Sequence, residues 1–336
     1  MNILILGGDG FIGSHLRKAH LLRGDDVTIV DINNYRTGKD LIDCDLAHNT
    51  RYTIKCNMDL WVNGKTPDFV YNCVAVATPS YYVKYPEKTF DLDFTVNKEI
   101  IDTIDSLNIP LVHFSTSEVY GKTWSEPYTE ESDCVLGPAT KSRWIYATSK
   151  ILLDQYILAR GIDCCIIRPF NFIGHDLDWL PDIHKDVSTE RPWIPRVPSC
   201  FLNALLSSKP MTIVRPGSQK RCYTYIDDAA QGIISIVDNW SKCRGEILNI
   251  GNPNNETTID GLAYLMSKSW LELTGEEPKS PIYVDGVDLY GKGYEDSERR
   301  LFSDAKMRRL TGWEAQIDLH TTIDMTVKEA QKEYTL

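Results

Sequence analysis

Tyr146 and Lys150, four residues apart in Tyr146-Ala147-Thr148-Ser149-Lys150, can exchange protons with a substrate hydroxyl if one helix presents both on one face. Side chains at i and i+4 meet one helical turn apart, and a lysine ammonium beside a phenol favours the phenolate. A Y-x-x-x-K spacing occurs often by chance. It gains weight from Ser115-Thr116-Ser117-Glu118-Val119-Tyr120-Gly121, which offers hydroxyls and a carboxylate after the apolar run Leu111–Ser115. That is the C-terminal end of an expected strand, where open α/β sheets place their ligands.

A second motif supplies the reaction partner for such a base. Gly7-Gly8-Asp9-Gly10-Phe11-Ile12-Gly13 follows an apolar strand and opens a helix. Its glycines permit a tight turn, close backbone approach to a pyrophosphate and close packing of helix on strand, with the phosphates at the positive helix N-terminus. Asp31 stands at the end of the next strand, 18 residues beyond Gly13. There it would accept hydrogen bonds from the adenosine ribose and repel a 2′-phosphate, which favours NAD over NADP, although Arg36 is close by. A positive nicotinamide ring would then help Lys150 draw Tyr146, of ordinary pKa about 10, toward the range of a working base.

These residues need a parallel sheet to position them. Short apolar runs at Ile3–Leu6, Val27–Asp31, Phe69–Val74, Leu111–Ser115 and Cys164–Arg168 alternate with helical stretches near Ile12–Arg23, Phe94–Leu107 and Trp144–Arg160. That alternation predicts an α/β Rossmann, doubly wound parallel sheet. Past Pro169 the chain turns Pro- and Trp-rich, and Ile226–Val237 and Ile247–Ile250 read as a helix and strand that rejoin the sheet. The expected division is a cofactor-binding domain over 1–170, rejoined by about 226–250, and a smaller interleaved C-terminal α+β lobe over 171–225 and 251–336.

Composition narrows the partners. The 336 residues carry 36 Lys+Arg against 47 Asp+Glu, a net charge of −11 with no long basic run, which argues against nucleic acid. No stretch is apolar enough to span a bilayer, and Met1 runs straight into an apolar strand without a leader pattern, so cytoplasmic residence is expected. The nine cysteines include no C-x-x-C and read as reduced core thiols. His175, Asp176, Asp178, Asp182 and His184 could be imagined as metal ligands, but their spacing fits no ligand pattern, and no metal is expected. The tryptophans between Asp178 and Trp193 could stack on a base or simply pack.

The glycine turn, Ser-Thr-Ser-Glu-Val-Tyr-Gly, Y-x-x-x-K and Arg168-Pro169-Phe170-Asn171 together resemble the extended short-chain dehydrogenase/reductases, the NAD-dependent epimerase/dehydratase family. The similarity is greatest to the UDP-glucuronic acid oxidative decarboxylases, among them the decarboxylase domain of the bacterial polymyxin-resistance enzyme. It also takes in Val76-Ala77-Thr78-Pro79, Arg143-Trp144-Ile145-Tyr146, Gln219-Lys220-Arg221-Cys222, Asn249-Ile250-Gly251-Asn252-Pro253 and Gly291-Lys292-Gly293-Tyr294-Glu295-Asp296.

The resemblance implies NAD held by Gly7, Gly10, Phe11, Ile12, Gly13, Asp31, Ala75, Thr78 and Lys150. It makes Thr116 the hydroxyl bonded to the sugar 4-OH, Tyr146 its base, and Ser117, Glu118 and Arg300 the residues of decarboxylation. Pro79, Arg143, Asn171, Arg196, Arg221 and Tyr294 fall where the family meets a UDP-sugar. Read alone, Glu118 could brace its loop, and Arg300 could belong to the solvated run Ser297-Glu298-Arg299-Arg300.

The chain departs from these relatives too. It matches only the dehydrogenase-like part of the polymyxin-resistance relative and not the fused formyltransferase domain, so no formyl transfer is expected, and its shorter crossover after Ile54 leaves the adenine-side residue open between Asn57 and Asp59. The plant apiose/xylose synthases, which Pro195-Arg196-Val197 and Cys200-Phe201 resemble, carry cysteines where this chain has Ser117 and Ala77, which disfavours ring contraction. Relatives commonly dimerise through helices that correspond to those near Phe94–Leu107 and Trp144–Arg160, so a homodimer is expected.

Overall fold

The computed structural model describes residues 1–32, 41–43, 65–124, 126–184 and 194–334. The expectations for Arg36, Ile54, Asn57, Asp59 and Trp193 lie outside these residues. Among the described residues seven strands form the central sheet: β1 (Asn2–Leu6), β2 (Asp26–Asp31), β3 (Leu41–Asp43), β4 (Phe69–Asn72), β5 (Leu111–Phe114), β6 (Cys164–Pro169) and β7 (Ile247–Ile250). Their order is β7-β6-β5-β4-β1-β2-β3, and every pair is parallel. The order reverses between β1 and β4, which opens a crevice at their C-terminal ends.

Strand alternation builds two cores from one sheet. Ile3 and Ile5 of β1 face the helices Phe11–Leu22 and Ile226–Asp238, while Leu4 and Leu6 face Asn97–Ser106 and Ile145–Arg160. All four side chains are buried, and each such burial stabilises by roughly 1.5–3 kcal/mol. Ile226–Asp238 packs against the sheet as a helix, and β7 pairs with β6 at one sheet edge.

A third core lies beyond the sheet, where the helices Val197–Leu206, Ile259–Thr274 and Leu319–Tyr334 pack together. Beside it a three-stranded sheet aligns Lys220–Cys222 between Glu256–Thr258 and Arg299–Arg300. Its parallel pairing sets Arg300 opposite Arg221.

Two expectations need correction. Cys134 is exposed rather than a core thiol, because it sits in a loop, whereas Cys164, Cys165, Cys222 and Cys243 are buried. The helix expected near Phe94–Leu107 begins earlier. Pro86–Phe90 runs through a wider turn at Asp91–Val96 into Asn97–Ser106, and the Asn97 N–H donates to the Leu92 carbonyl, an i→i−5 bond. Extra π-type turns of this kind often mark functional sites.

Candidate active site

The crevice opens into a groove of about 930 Å³ that runs from the glycine turn to the smaller lobe. At its start Gly7 has φ +74°, and a Cβ there would lie 2.9 Å from the Cys73 carbonyl carbon. A Cβ on Gly13 would lie 2.6 Å from the Gly7 carbonyl oxygen. Side chains at either position would force the turn away from β4 and from the helix. Gly10, Phe11 and Ile12 line the groove where the helix begins, and that N-terminus has neither a side-chain cap nor an acidic residue in its first turn. Its unsatisfied N–H groups suit an anion.

Asp31, at the end of β2, accepts from the backbone N–H groups of Asp9 (3.0 Å) and Ile32 (2.8 Å), so its carboxylate is held against the glycine turn. Ala75, Thr78 and Pro79 continue the groove wall after β4. Just before them, Asn97 ties the end of β4 to its own helix, its Nδ2 donating to the carbonyls of Val74 (3.0 Å) and Leu92 (2.8 Å). Cradle, uncapped helix and acidic strand end fit NAD.

Further along, Thr116 is the N-cap of the short helical turn Ser117–Tyr120, accepting from the Glu118 N–H at 3.2 Å. This turn projects Glu118 toward the groove. The helix Ile145–Arg160 brings Tyr146 and Lys150 to the same region, both buried, with Thr116 beside Tyr146 on the groove wall. Tyr82 stacks on Tyr146 with ring centroids 4.6 Å apart and planes 8° from parallel. Lys150 Nζ donates to the Phe114 carbonyl at 3.1 Å and lies 3.5 Å from Asp93. Burial, then the nearby carboxylates of Asp93 and Glu118, raise the Tyr146 pKa well above 10. Lys150 by itself therefore does not produce a phenolate; the positive ring of bound NAD is the contribution still to be added.

The far wall is a cluster of charges. Arg143 Nη1 donates to Glu118 at 2.8 Å, while Arg300 Nη1 reaches the other Glu118 oxygen only at 3.5 Å. Asp296 pairs with Arg221 at 2.8 Å and lies 3.7 Å from both Arg143 and Arg300. Burial alone would raise the Glu118 pKa, but Arg143 and Arg300 outweigh it and hold the group below the usual carboxylate range. Arg300 is not solvated: it is buried, and its Nε donates to the Ser297 hydroxyl at 2.8 Å. Ser117, Asn171 and Tyr294 line the same groove, Tyr294 stacking on Tyr290 at 4.5 Å. Arg196 reaches the groove from the other side, its Nε held 3.0 Å from Asp178.

The residues considered as metal ligands point to separate partners. His175 pairs with Glu329 and Glu333, Asp176 with His15, Asp178 with Arg196 and Asp182 with Lys209, while the His184 ring accepts from the Leu180 N–H. Trp179 lines the groove and stacks on His184. Sequence reasoning did not mark Tyr82, Asp93 or Asp296 as functional. Only the segment containing Asp296 carried a signal, through the resemblance.

A parallel sheet with a glycine turn at its switch point and a Tyr–Lys pair across the crevice defines a dinucleotide-dependent oxidoreductase. The profile of the NAD dependent epimerase/dehydratase family matches residues 3–251, and the chain belongs to that family. It is 32% identical to the UDP-D-apiose/UDP-D-xylose synthase of Oryza sativa subsp. japonica, over 99% of this chain and 90% of that one. The UDP-D-apiose/UDP-D-xylose synthase 1 of Arabidopsis thaliana is also 32% identical, over 99% and 92%. Among solved structures, the PbgP3 protein of Burkholderia pseudomallei superposes with a TM-score of 0.77 at 32% identity, covering 98% of this chain and 96% of that one.

Proposed function

We propose that the chain is an NAD-dependent decarboxylase that converts UDP-glucuronate to a UDP-4-keto-pentose or UDP-pentose and CO2. The observation that carries this reading is the cluster around Arg300: three guanidinium groups (Arg143, Arg221, Arg300) face two carboxylates (Glu118, Asp296). One positive charge within the cluster is left to meet a substrate carboxylate, and Arg300, with the longest contacts, is the group to offer it.

In this reading Gly7, Gly10, Phe11, Ile12, Gly13, Asp31, Ala75, Thr78 and Lys150 hold NAD. NAD supplies the hydride acceptor for C4. Tyr146 takes the proton of the C4 hydroxyl, with Thr116 hydrogen-bonded to both oxygens. The 4-ketone is β to the C5 carboxylate, so loss of CO2 leaves its electron pair in an enolate, whose oxygen Thr116 and Tyr146 hydrogen-bond.

Arg300 orients the departing carboxylate. Because it also contacts Glu118, Asp296 and Ser297, it binds the ground state less tightly than a lone arginine, which preserves rate. Glu118 is ionised and accepts a hydrogen bond from the water that protonates C5 rather than acting itself as the acid. Arg196, Arg221, Asn171 and Pro79 bind the nucleotide and sugar, with Ser117 beside the reacting carbons.

The sugar-binding lobe comprises 171–225 and 251–336. The enzyme works in the cytoplasm, consistent with the free thiols of the described cysteines, most of them at least partly buried. Exposed Phe90, Leu152 and Leu158 on the helices expected at a dimer interface support a homodimer.

The test is incubation with NAD and UDP-glucuronate, following CO2 and products by mass. CO2 with a pentose product supports the proposal. Conversion to UDP-galacturonate with its carboxylate intact replaces it with 4-epimerisation, the alternative reading of the same Tyr146–Lys150 chemistry.

A further inference from the structure

Behind the reacting pair, the carboxylate of Asp93 is completely buried in the wide turn Asp91–Val96, and neither of its oxygens has a regular hydrogen bond. Its ion-pair contact is Lys150 Nζ at 3.5 Å. The same ammonium donates to the Phe114 carbonyl, so Lys150 is held between β5 and the helix that carries Asp93. An unbonded buried carboxylate is unfavourable unless a charge compensates it. The i→i−5 bond of Asn97 to Leu92 and the Asn97 side-chain bonds to Val74 and Leu92 fix the turn that puts Asp93 there.

We propose that Asp93 is a positioning residue that acts through Lys150 to set the proton affinity of Tyr146, and so the pH at which the enzyme begins to oxidise its substrate. This rests on the C4-oxidation part of the proposed function and not on decarboxylation. While ionised, Asp93 neutralises the Lys150 charge that would favour the Tyr146 phenolate and adds a repulsive charge of its own. When it takes a proton, Lys150 acts on Tyr146 unopposed. Burial, set against the attraction of Lys150, raises its pKa to about 7, so this change falls near neutrality.

The surrounding groups do not titrate there in its place. On the helix Pro79–Lys84, Tyr81 and Tyr82 are raised above the usual phenol range, Tyr82 chiefly by burial. His113 of β5 is held neutral by burial and by Lys150, and burial keeps the Cys73 thiol protonated. On the helix of Lys150 itself, Asp154 is also buried and raised, but it is bonded to Arg168 and Ser115. Glu118 faces Tyr146 as a carboxylate held below the usual range.

The test uses the full chain and its Asp93→Asn variant. The acid limb of kcat/KM for reduction of bound NAD, read with whichever nucleotide sugar is oxidised, should move down by about one pH unit, because a charge opposing the phenolate is gone. Asp93→Glu, which restores the carboxylate, should return the limb toward its original position while lowering kcat. Without any substrate, side-chain carboxyl ¹³C spectra should show one aspartate titrating near pH 7 that is missing from Asp93→Asn. A limb that stays put or moves to higher pH, or an aspartate already ionised below pH 5, overturns the proposal. Since the ¹³C titration needs no substrate, its outcome is independent of whether UDP-glucuronate proves to be the sugar.

Discussion

Arg221 and Arg300 are cross-strand partners in the parallel pairing of Lys220–Cys222 with Arg299–Arg300, which brings two arginines side by side to the wall of the groove. Both are buried, and burial followed by the neighbouring Arg221 charge lowers the Arg300 pKa. Asp296 contacts both and Glu118 contacts Arg300, so the two like charges are compensated within the cluster. Arg300→Met and Glu118→Gln should each reduce CO2 release from UDP-glucuronate by about 100-fold or more, the scale of removing one positioned charge or proton-handling group. CO2 is the deciding measurement. Both variants should still bind NAD, since neither residue touches the glycine turn.

Tyr82 lies flat on Tyr146, which fixes the ring whose oxygen would meet the C4 hydroxyl in the proposed reaction. Tyr146→Phe should reduce NADH formation by about 100-fold or more while the nucleotide still binds. Tyr82→Phe keeps the stack and should stay within about threefold of the unmutated rate, whereas Tyr82→Leu should lose roughly tenfold, matching a stacking contribution of about 1.4 kcal/mol. Single-turnover NAD reduction at 340 nm checks all three. Equal rates in Tyr82→Phe and Tyr82→Leu would remove the stack from the account.

Asp31 is the residue on which cofactor choice is expected to turn. Its carboxylate is fixed by the Asp9 and Ile32 N–H groups, so it cannot swing away from a 2′-phosphate. NAD should bind at least about tenfold tighter than NADP, and Asp31→Ala should narrow the gap by removing both the ribose acceptor and the repulsion. Titration calorimetry with the two cofactors reads this directly; equal affinities in the unmutated chain would rule it out.

His15 ties the glycine-motif helix to two other segments, with Nδ1 2.5 Å from Asp227 and Nε2 3.2 Å from Asp176. Burial alone would lower its pKa, but the two carboxylates outweigh it and raise it to about 9. Asp227 is lowered to about 2, chiefly by its bond to His15. A raised folded-state pKa means that the His15 contribution is complete below about 6.5 and is lost as pH rises through 9. The Asp227 contribution has the opposite sign of dependence: it is present above about 3.8 and lost as pH falls toward 2. Because the Asp227 side chain is 41% exposed, solvent screening reduces the effect to on the order of 1 kcal/mol, or about 2 °C. The melting temperature should therefore fall between pH 6.5 and 9, and His15→Gln should flatten that fall. An unchanged slope in the variant would show that the pair contributes no pH-dependent stability.

Much of the cofactor half was legible in the residues themselves, because its determinants are local. A glycine turn, the next strand's acidic end and a four-residue helical spacing each act within one element or between neighbours. The apolar periodicities of β1, β2, β4, β5, β6 and β7 follow from the same local rule. Segment boundaries moved by a residue or two at Phe69–Asn72 and Leu111–Phe114.

The charge network and the controls around the reacting pair were decided by tertiary structure alone. Arg300 in Ser297-Glu298-Arg299-Arg300 looks like any solvated charge run until pairing with Arg221 buries it and places it beside Glu118. Asp93 and Lys150 are 57 positions apart, and nothing along the chain says that an extra turn at Asp91–Val96 will bring them within 3.5 Å. Local sequence specifies which conformations and chemical groups are available. Which charges lose their water, and which opposite charge then has to compensate them, depends on packing between distant segments, and in this protein that packing determines the ionisation of Glu118, Asp93 and Tyr146.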